Sequence, residues 1–151
     1  MSLNTAKTTL IGSWFNNNVI AYGTIDPNIV PDLEGKVIEN KFYLGIDIYM
    51  INDPNSGAVE IVFRYMNANG NIDSEKCLAY YDKCKKKFVF NTNSLSNIIF
   101  KDIVIPAFSP FFYNGELRIN SNGNLDIKMN MTNLFIKGTV NSTLKKEPKC
   151  L

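Results

Sequence analysis

Apolar and polar residues alternate along most of this chain, and this alternation is the clearest indication of its structure. The longest example covers residues 36–51, where Phe42, Leu44, Ile46, Ile48 and Met50 occupy alternate positions. A period of two is typical of a β-strand with one buried face, whereas an amphipathic helix repeats every 3.6 residues. No segment has a convincing helical period, so the sequence predicts an all-β protein.

Ten segments fit the strand pattern, and short stretches rich in Asn, Gly and Pro separate them. The predicted strands are 10–16, 19–25, 36–51, 58–66, 72–81, 87–91, 97–105, 111–120, 124–130 and 133–140. The Asn-Gly pairs at 69–70 and 122–123 are strong hairpin signals, and 16–18 is expected to form a tight turn. Residues 1–9 are predicted to be a polar arm and residues 145–151 a tail.

The short connections predict antiparallel pairing, because parallel strands need long crossovers between them. Many sequential hairpins favour a sheet that closes on itself, since closure removes the exposed strand edges. We therefore predict one domain over 1–151, an antiparallel up-and-down β-barrel of about eight to ten strands. A two-sheet β-sandwich is the alternative that the pattern leaves open.

The amino-acid composition argues against several classes of function. The chain has no histidine, which removes the usual general base and the commonest transition-metal ligand. A net charge of +2 provides no field that would recruit nucleic acid, and no apolar run is long enough to span a membrane. We expect no metal, no cofactor and no catalytic site. A carboxylate-dependent enzyme using Asp47, Glu60 or Asp102 is the weakest hypothesis.

Residues at the start of the first strand and at the end of the chain resemble those of a known protein family. Gly12-x-Trp14 near the N-terminus, followed by a meander of strands and a C-terminal cysteine, resembles the lipocalins and their calycin relatives. In that family the motif lies on the first barrel strand and closes the base of a ligand-holding cup. An arginine stacks over the tryptophan there, and Lys137 or Lys145 would have to take its place here. The family's helix after the barrel has no counterpart in 145–151.

Three cysteines, Cys77, Cys84 and Cys150, leave two interpretations open. An odd number argues against a complete disulfide framework, so reduced thiols are one of them. The lipocalin resemblance implies the other, a bridge from Cys77 or Cys84 to Cys150 that ties a mid-chain strand to the tail. No hydrophobic leader is visible, and a secreted or extracytoplasmic location is favoured only if one has been removed.

The resemblance and the apolar strand faces together predict a non-enzymatic protein that holds a small apolar or amphipathic ligand inside the barrel. The candidate ligand-contacting residues are Trp14, Tyr22, Phe42, Leu44, Ile46, Ile48, Val59, Ile61, Phe63, Tyr65, Phe88 and Phe90. Tyr43, Tyr49 and Tyr113 are expected to add polar contacts. The sequence does not decide between a hollow and a filled interior.

The second functional hypothesis is an interaction module built on a β-sandwich. An adhesin-like or inhibitor domain of this kind would bind a protein or a carbohydrate through loops 26–35 and 105–112.

Overall fold

The structure is a computed structural model, and it describes residues 3–25, 37–53, 55–66, 70–93, 111–132 and 136–148. These residues form one short helix and eight strands. The elements are α1 (Leu3–Leu10), β1 (Gly12–Ile25), β2 (Val37–Met50), β3 (Ala58–Met66), β4 (Ile72–Asp82), β5 (Lys87–Thr92), β6 (Phe112–Ile119), β7 (Leu125–Thr132) and β8 (Ile136–Lys146). The predicted strand 97–105 lies outside the described residues.

The eight strands form a closed barrel in which each pairs antiparallel with its neighbours in sequence. β1 also pairs with β8, which closes the sheet on itself. The prediction of an all-β, up-and-down barrel is therefore confirmed, and the β-sandwich alternative is wrong. The architecture is consistent with the lipocalin resemblance. It follows from the short connections, which let each strand fold back beside the one before it.

The two ends of the barrel differ. At one end, here called the α1 end, the helix precedes β1 and the β2–β3, β4–β5 and β6–β7 connections turn the chain. The other four connections, β1–β2, β3–β4, β5–β6 and β7–β8, leave from the far end.

The predicted polar arm is instead largely helix α1. Three of its side chains, Ala6, Lys7 and Leu10, are buried, and Leu10 lies four residues from Ala6 and three from Lys7, on the same helix face. The apolar positions that produce this face are few, because the helix has only eight residues. Such a short pattern gives a weak periodic signal in the sequence.

Two strand boundaries also differ from the prediction. The expected turn at 16–18 is a β-bulge inside one continuous strand, since the pairing of β1 shifts between Asn16 and Val19. The Asn18 backbone N–H donates to Oδ1 of Asn16 at 2.8 Å, which satisfies a donor that the bulge removes from the ladder. At the other terminus β8 continues to Lys146, six residues beyond the predicted strand end at 140, so the first two residues of the expected tail, 145 and 146, are strand.

The core occupies the barrel interior. Its buried members on the strands are Trp14, Val19, Ala21, Phe42, Leu44, Ile46, Ile48, Val59, Ile61, Phe63, Tyr65, Ala79, Phe88, Phe90, Tyr113, Leu117, Leu125, Ile127, Met129, Met131, Ile136, Val140 and Leu144. Every strand contributes, because alternate side chains along each strand point to the same side of the wall. Ala6 and Leu10 of α1 join the same cluster at the α1 end.

Candidate ligand-binding site

Trp14 anchors the α1 end of the barrel. Its indole is only 2% exposed, and Nε1–H donates to the Leu10 carbonyl at the end of α1 over 3.0 Å. The Lys146 ammonium lies 5.5 Å from the centre of the indole ring, within the range of a cation–π contact. The tryptophan therefore links the helix, β1 and β8.

Lys146 holds the position for which the sequence suggested Lys137 or Lys145, so that expectation is wrong. The cause is the register of β8, which pairs Lys146 directly with Trp14. Lys145 pairs with Phe15, one residue further along β1, and Lys137 lies opposite Thr24, near the far end.

Eleven of the twelve candidate ligand-contacting residues are buried in the core, with Tyr22 as the exception. Leu44, Ile46, Ile61 and Phe63 have no exposed surface at all. Phe63 contacts Phe90 with ring centroids 5.4 Å apart. A side chain covered on all sides has no water-sized space beside it, so these residues form a packed core. Any ligand must therefore contact their edges or displace them.

Three of the tyrosines considered for polar contacts lie outside the barrel. Tyr22 is 49% exposed and Tyr49 is 52% exposed, on strand positions that alternate with buried residues. The Tyr43 hydroxyl accepts a hydrogen bond from Nη1 of Arg64 at 2.8 Å, also on the outer surface. For these three the expected inward contact is wrong. Tyr113 is 1% exposed and belongs to the core.

The wall of the barrel changes between β4 and β5. Nine residues of β4, from Ile72 to Tyr80, pair with β3, but only three, from Tyr80 to Asp82, pair with β5. Of the three pairs, the one nearest the far end joins Tyr80 to Val89. Beyond it, the two strands are no longer neighbours in a regular ladder.

Two polar side chains and one thiol occupy half-buried inward positions beside this point. Glu75 and Cys77 of β4 lie opposite the buried Phe63 and Ile61, and Thr92 of β5 lies opposite the buried Tyr113. We call Glu75, Cys77 and Thr92 the β4–β5 seam. These polar side chains adjoin an otherwise apolar interior, a combination that is typical of ligand pockets.

Burial of the Cys77 side chain changes the pKa of its thiol. Burial raises its pKa from 9.0 to about 12, because the charged thiolate loses solvation. Within the described residues Cys77 and Cys84 form no disulfide, and Cys150 lies outside them. A bridge from Cys150 to either thiol stays a prediction.

We expect Cys77 to react slowly with a thiol reagent such as 5,5′-dithiobis(2-nitrobenzoate) in a Cys84→Ser/Cys150→Ser variant. At pH 8 its rate should be at least about 30-fold below that in urea. The higher pKa lowers the thiolate fraction about a thousandfold, and the greater nucleophilicity of the more basic thiolate recovers about 15- to 30-fold of that loss. The native rate should keep rising above pH 10, whereas the unfolded rate levels off near pH 9. A native rate equal to the unfolded one would contradict the burial.

The same pKa shift has a consequence for stability. Between pH 9 and about 12 the unfolded chain releases the Cys77 proton while the folded chain keeps it. The folded state therefore becomes less stable as the pH rises through this window, and Cys77→Ser should remove that dependence.

Arg64 forms a polar cluster on the outer surface, away from the seam. Its Nε lies 2.9 Å from Asp47, and Nη2 donates to Glu147 at 2.6 Å. Burial opposes the charge of Arg64, but the Glu147 hydrogen bond and the charge of Asp47 outweigh it and raise the guanidinium pKa. Because Glu147 follows β8 and its N–H donates to the Ser13 carbonyl, the cluster fastens the end of β8 to β1, β2 and β3.

The structure describes two of the three carboxylates considered for catalysis, Asp47 and Glu60, which lie two register positions apart on β2 and β3. Asp47 is paired with Arg64, Glu60 is half-buried opposite Leu78 on β4, and Asp102 lies outside the described residues. In the described part of the chain, no three His, Cys, Asp or Glu side chains converge in a metal-binding group.

Two further findings concern membrane-spanning segments and related proteins. Across the ranges given above, no helix combines the length and the apolar character of a membrane-spanning segment. No protein-family model matches this chain, and no curated protein matches it.

Proposed function

We propose that this protein binds a small apolar or amphipathic molecule inside the barrel, at the β4–β5 seam. The observation that carries the proposal is the half-buried inward position of Cys77 and Glu75 on a wall whose neighbouring positions are fully buried. A ligand seated there would cover exposed parts of the interior wall. Each square ångström of apolar surface removed from water contributes about 25 cal/mol before the entropic cost of binding.

The chemistry of the seam favours an amphipathic ligand. The rings of Phe63, Phe90 and Tyr65 lie behind the seam, and the body of the molecule would contact their edges or displace them. The Glu75 carboxylate, on the same side of the wall, is an acceptor for a hydroxyl or ammonium group. The packed core towards the α1 end limits the size of the ligand.

The neutral probe N-phenyl-1-naphthylamine tests the proposal, because its emission increases and shifts to the blue in an apolar site. Cys77→Phe places a ring in the seam, while Leu78→Phe places the same ring on the outer surface, where Leu78 is 40% exposed. We expect saturable binding by the unaltered chain, at least a tenfold weaker affinity for Cys77→Phe and no change for Leu78→Phe. Tenfold corresponds to about 1.4 kcal/mol.

Circular dichroism of both variants checks that they are folded. Equal affinity in the two folded variants would contradict a site at the seam. Absence of any binding by the folded, unaltered chain would contradict ligand binding inside the barrel.

Absence of ligand binding inside the barrel would favour the second hypothesis, in which the far end of the barrel binds a protein or a carbohydrate. Of the hypothesised contact loops 26–35 and 105–112, residues 26–35 and 105–110 lie outside the described residues, and Phe112 begins β6 at that end. Met66, Ile72 and Phe112, at strand ends beside it, are 42%, 53% and 50% exposed, and exposed apolar residues favour binding of a partner.

A further inference from the structure

A cleft lies at the α1 end of the barrel, between α1 and strands β4, β5 and β6. We call it the α1 cleft. Its volume is about 270 Å³, and Leu10, Phe88, Leu117 and Ile119 provide an apolar floor. Phe88 and Leu117 also belong to the packed core, so the floor is the end layer of the barrel interior. The cleft is therefore separate from the β4–β5 seam.

Basic side chains surround this apolar floor. Lys86, Lys87 and Arg118 line the cleft, and none of the lining residues in the described part of the chain is acidic. Lys87 is neutralised by an ion pair with Glu116 at 2.7 Å, and its hydrogen bond lowers the pKa of that carboxyl. Within the described residues, Lys86 and Arg118 have no such ion pair. Lys86 is thus left without an ion pair beside an apolar surface, and Arg118 lies opposite Asp126 in the β6–β7 ladder.

From this arrangement we propose that the α1 cleft binds a small aromatic or short-chain molecule that carries an anionic group. The apolar part lies on Leu10, Leu117 and Ile119, and the sulfonate or carboxylate contacts Lys86 and Arg118. The volume of the cleft is just below the usual range for ligand pockets, which fits a single ring system or a short chain.

The turn that carries Lys86 has a fixed conformation. Lys86 adopts a φ of 57°, in the left-handed region that L-residues rarely enter. Asp82 holds the turn, because its Oδ1 accepts the backbone N–H groups of Cys84 and Lys85 at 3.0 and 3.1 Å. Its carbonyl accepts the Lys86 N–H at 2.8 Å. The backbone beneath the Lys86 side chain is therefore positioned before a ligand arrives.

Trp14 provides a local signal for occupation of the cleft. Its indole N–H donates to the carbonyl of Leu10, which lines the floor, so the ring lies directly behind the site. It is the only tryptophan in the chain. Energy transfer from Trp14 to a bound fluorescent probe should therefore be efficient.

The probe that we choose is 1-anilinonaphthalene-8-sulfonate, because N-phenyl-1-naphthylamine is the same molecule without the sulfonate. Thr9 lines the cleft and Thr8 does not, and both hydroxyls donate to helix carbonyls, at 2.9 and 2.8 Å. We expect Thr9→Phe to weaken binding of the sulfonate at least tenfold, and Thr8→Phe to leave it unchanged. Energy transfer from Trp14 should disappear with the binding.

A pair of charge variants tests the anionic preference. Lys86→Glu/Arg118→Glu should weaken binding of the sulfonate at least tenfold and leave binding of the neutral probe unchanged. Lys83→Glu/Lys85→Glu makes the same change in net charge in the same turn, and we expect it to have less than a twofold effect.

The outcomes separate this site from the seam. Cys77→Phe should affect the neutral probe alone, and Thr9→Phe the sulfonate alone. If Thr9→Phe and Lys86→Glu/Arg118→Glu both bind the sulfonate as the unaltered chain does, the α1 cleft is not its site. Loss of seam binding with retained sulfonate binding would overturn only the function proposed above.

Discussion

Replacing Trp14 with alanine is expected to lower the free energy of unfolding by about 4 kcal/mol, a large share of the stability of a domain of this size. The substitution leaves a cavity where a 2% exposed indole packs between α1, β1 and β8. It also leaves the Leu10 carbonyl without its donor. Urea unfolding followed by far-UV circular dichroism measures the effect, since the variant has no tryptophan fluorescence.

Milder variants separate the contributions of this residue. Trp14→Phe keeps most of the ring but loses the N–H donor, and should cost about 1–2 kcal/mol. Lys146→Met removes the cation–π contact and should cost up to about 1 kcal/mol. Lys145→Met, one residue away and exposed, should change stability by less than about 0.5 kcal/mol. A cost below about 1.5 kcal/mol for Trp14→Ala would show that the indole does not anchor the α1 end.

The glycine of the Gly12-x-Trp14 motif has a physical role in the same contact. Gly12 has a φ of +139°, which residues with a side chain rarely adopt. A Cβ atom there would lie 3.0 Å from Cε of Lys146. The lysine stem therefore passes close to the Gly12 backbone on its way to the indole. The resemblance rests on residues that act together in the structure.

Strand alternation predicted most of the fold, and its failure at Tyr22 has a local cause. Trp14 faces inward at an even position, and an unbroken alternation from it would also place Tyr22 inside. The bulge between Asn16 and Val19 adds a residue and reverses the parity, so Val19 and Ala21 face inward instead. A one-residue slip moves every following side chain to the other face, and three consecutive asparagines do not show where it occurs.

Other features depend on register and on distant contacts. The pairing of Lys146 with Trp14 requires β8 to close the barrel, which no local pattern specifies. The seam exists because the β4–β5 ladder ends at Tyr80 and Val89, although the alternation continues beyond both. The α1 cleft brings Leu10 beside Arg118, which is more than a hundred residues away. The sequence shows that these residues are present, but it does not show which of them lie close together in the fold.

The packing of the interior also limits what the barrel can hold, and Gly115 is the place to test it. Gly115 of β6 lies opposite Phe90 of β5, whose ring contacts Phe63. A Cβ atom at Gly115 would lie 2.6 Å from Cζ of Phe90 and 2.6 Å from the Lys128 carbonyl oxygen of β7. Glycine is needed here because the aromatic ring fills the space that a side chain would occupy.

We expect Gly115→Ala to lower the free energy of unfolding by about 3 kcal/mol, at the upper end of the range for overpacked cores. Gly57→Ala is the matched control, since a Cβ atom there meets nothing within 4 Å, and it should change stability by less than about 0.5 kcal/mol. Gly115→Ala/Phe90→Leu should recover only part of the loss, because the Lys128 carbonyl remains in place. If Gly115→Ala is as stable as Gly57→Ala, the Phe90 ring can move aside, and the barrel then has more room for a ligand than the seam alone.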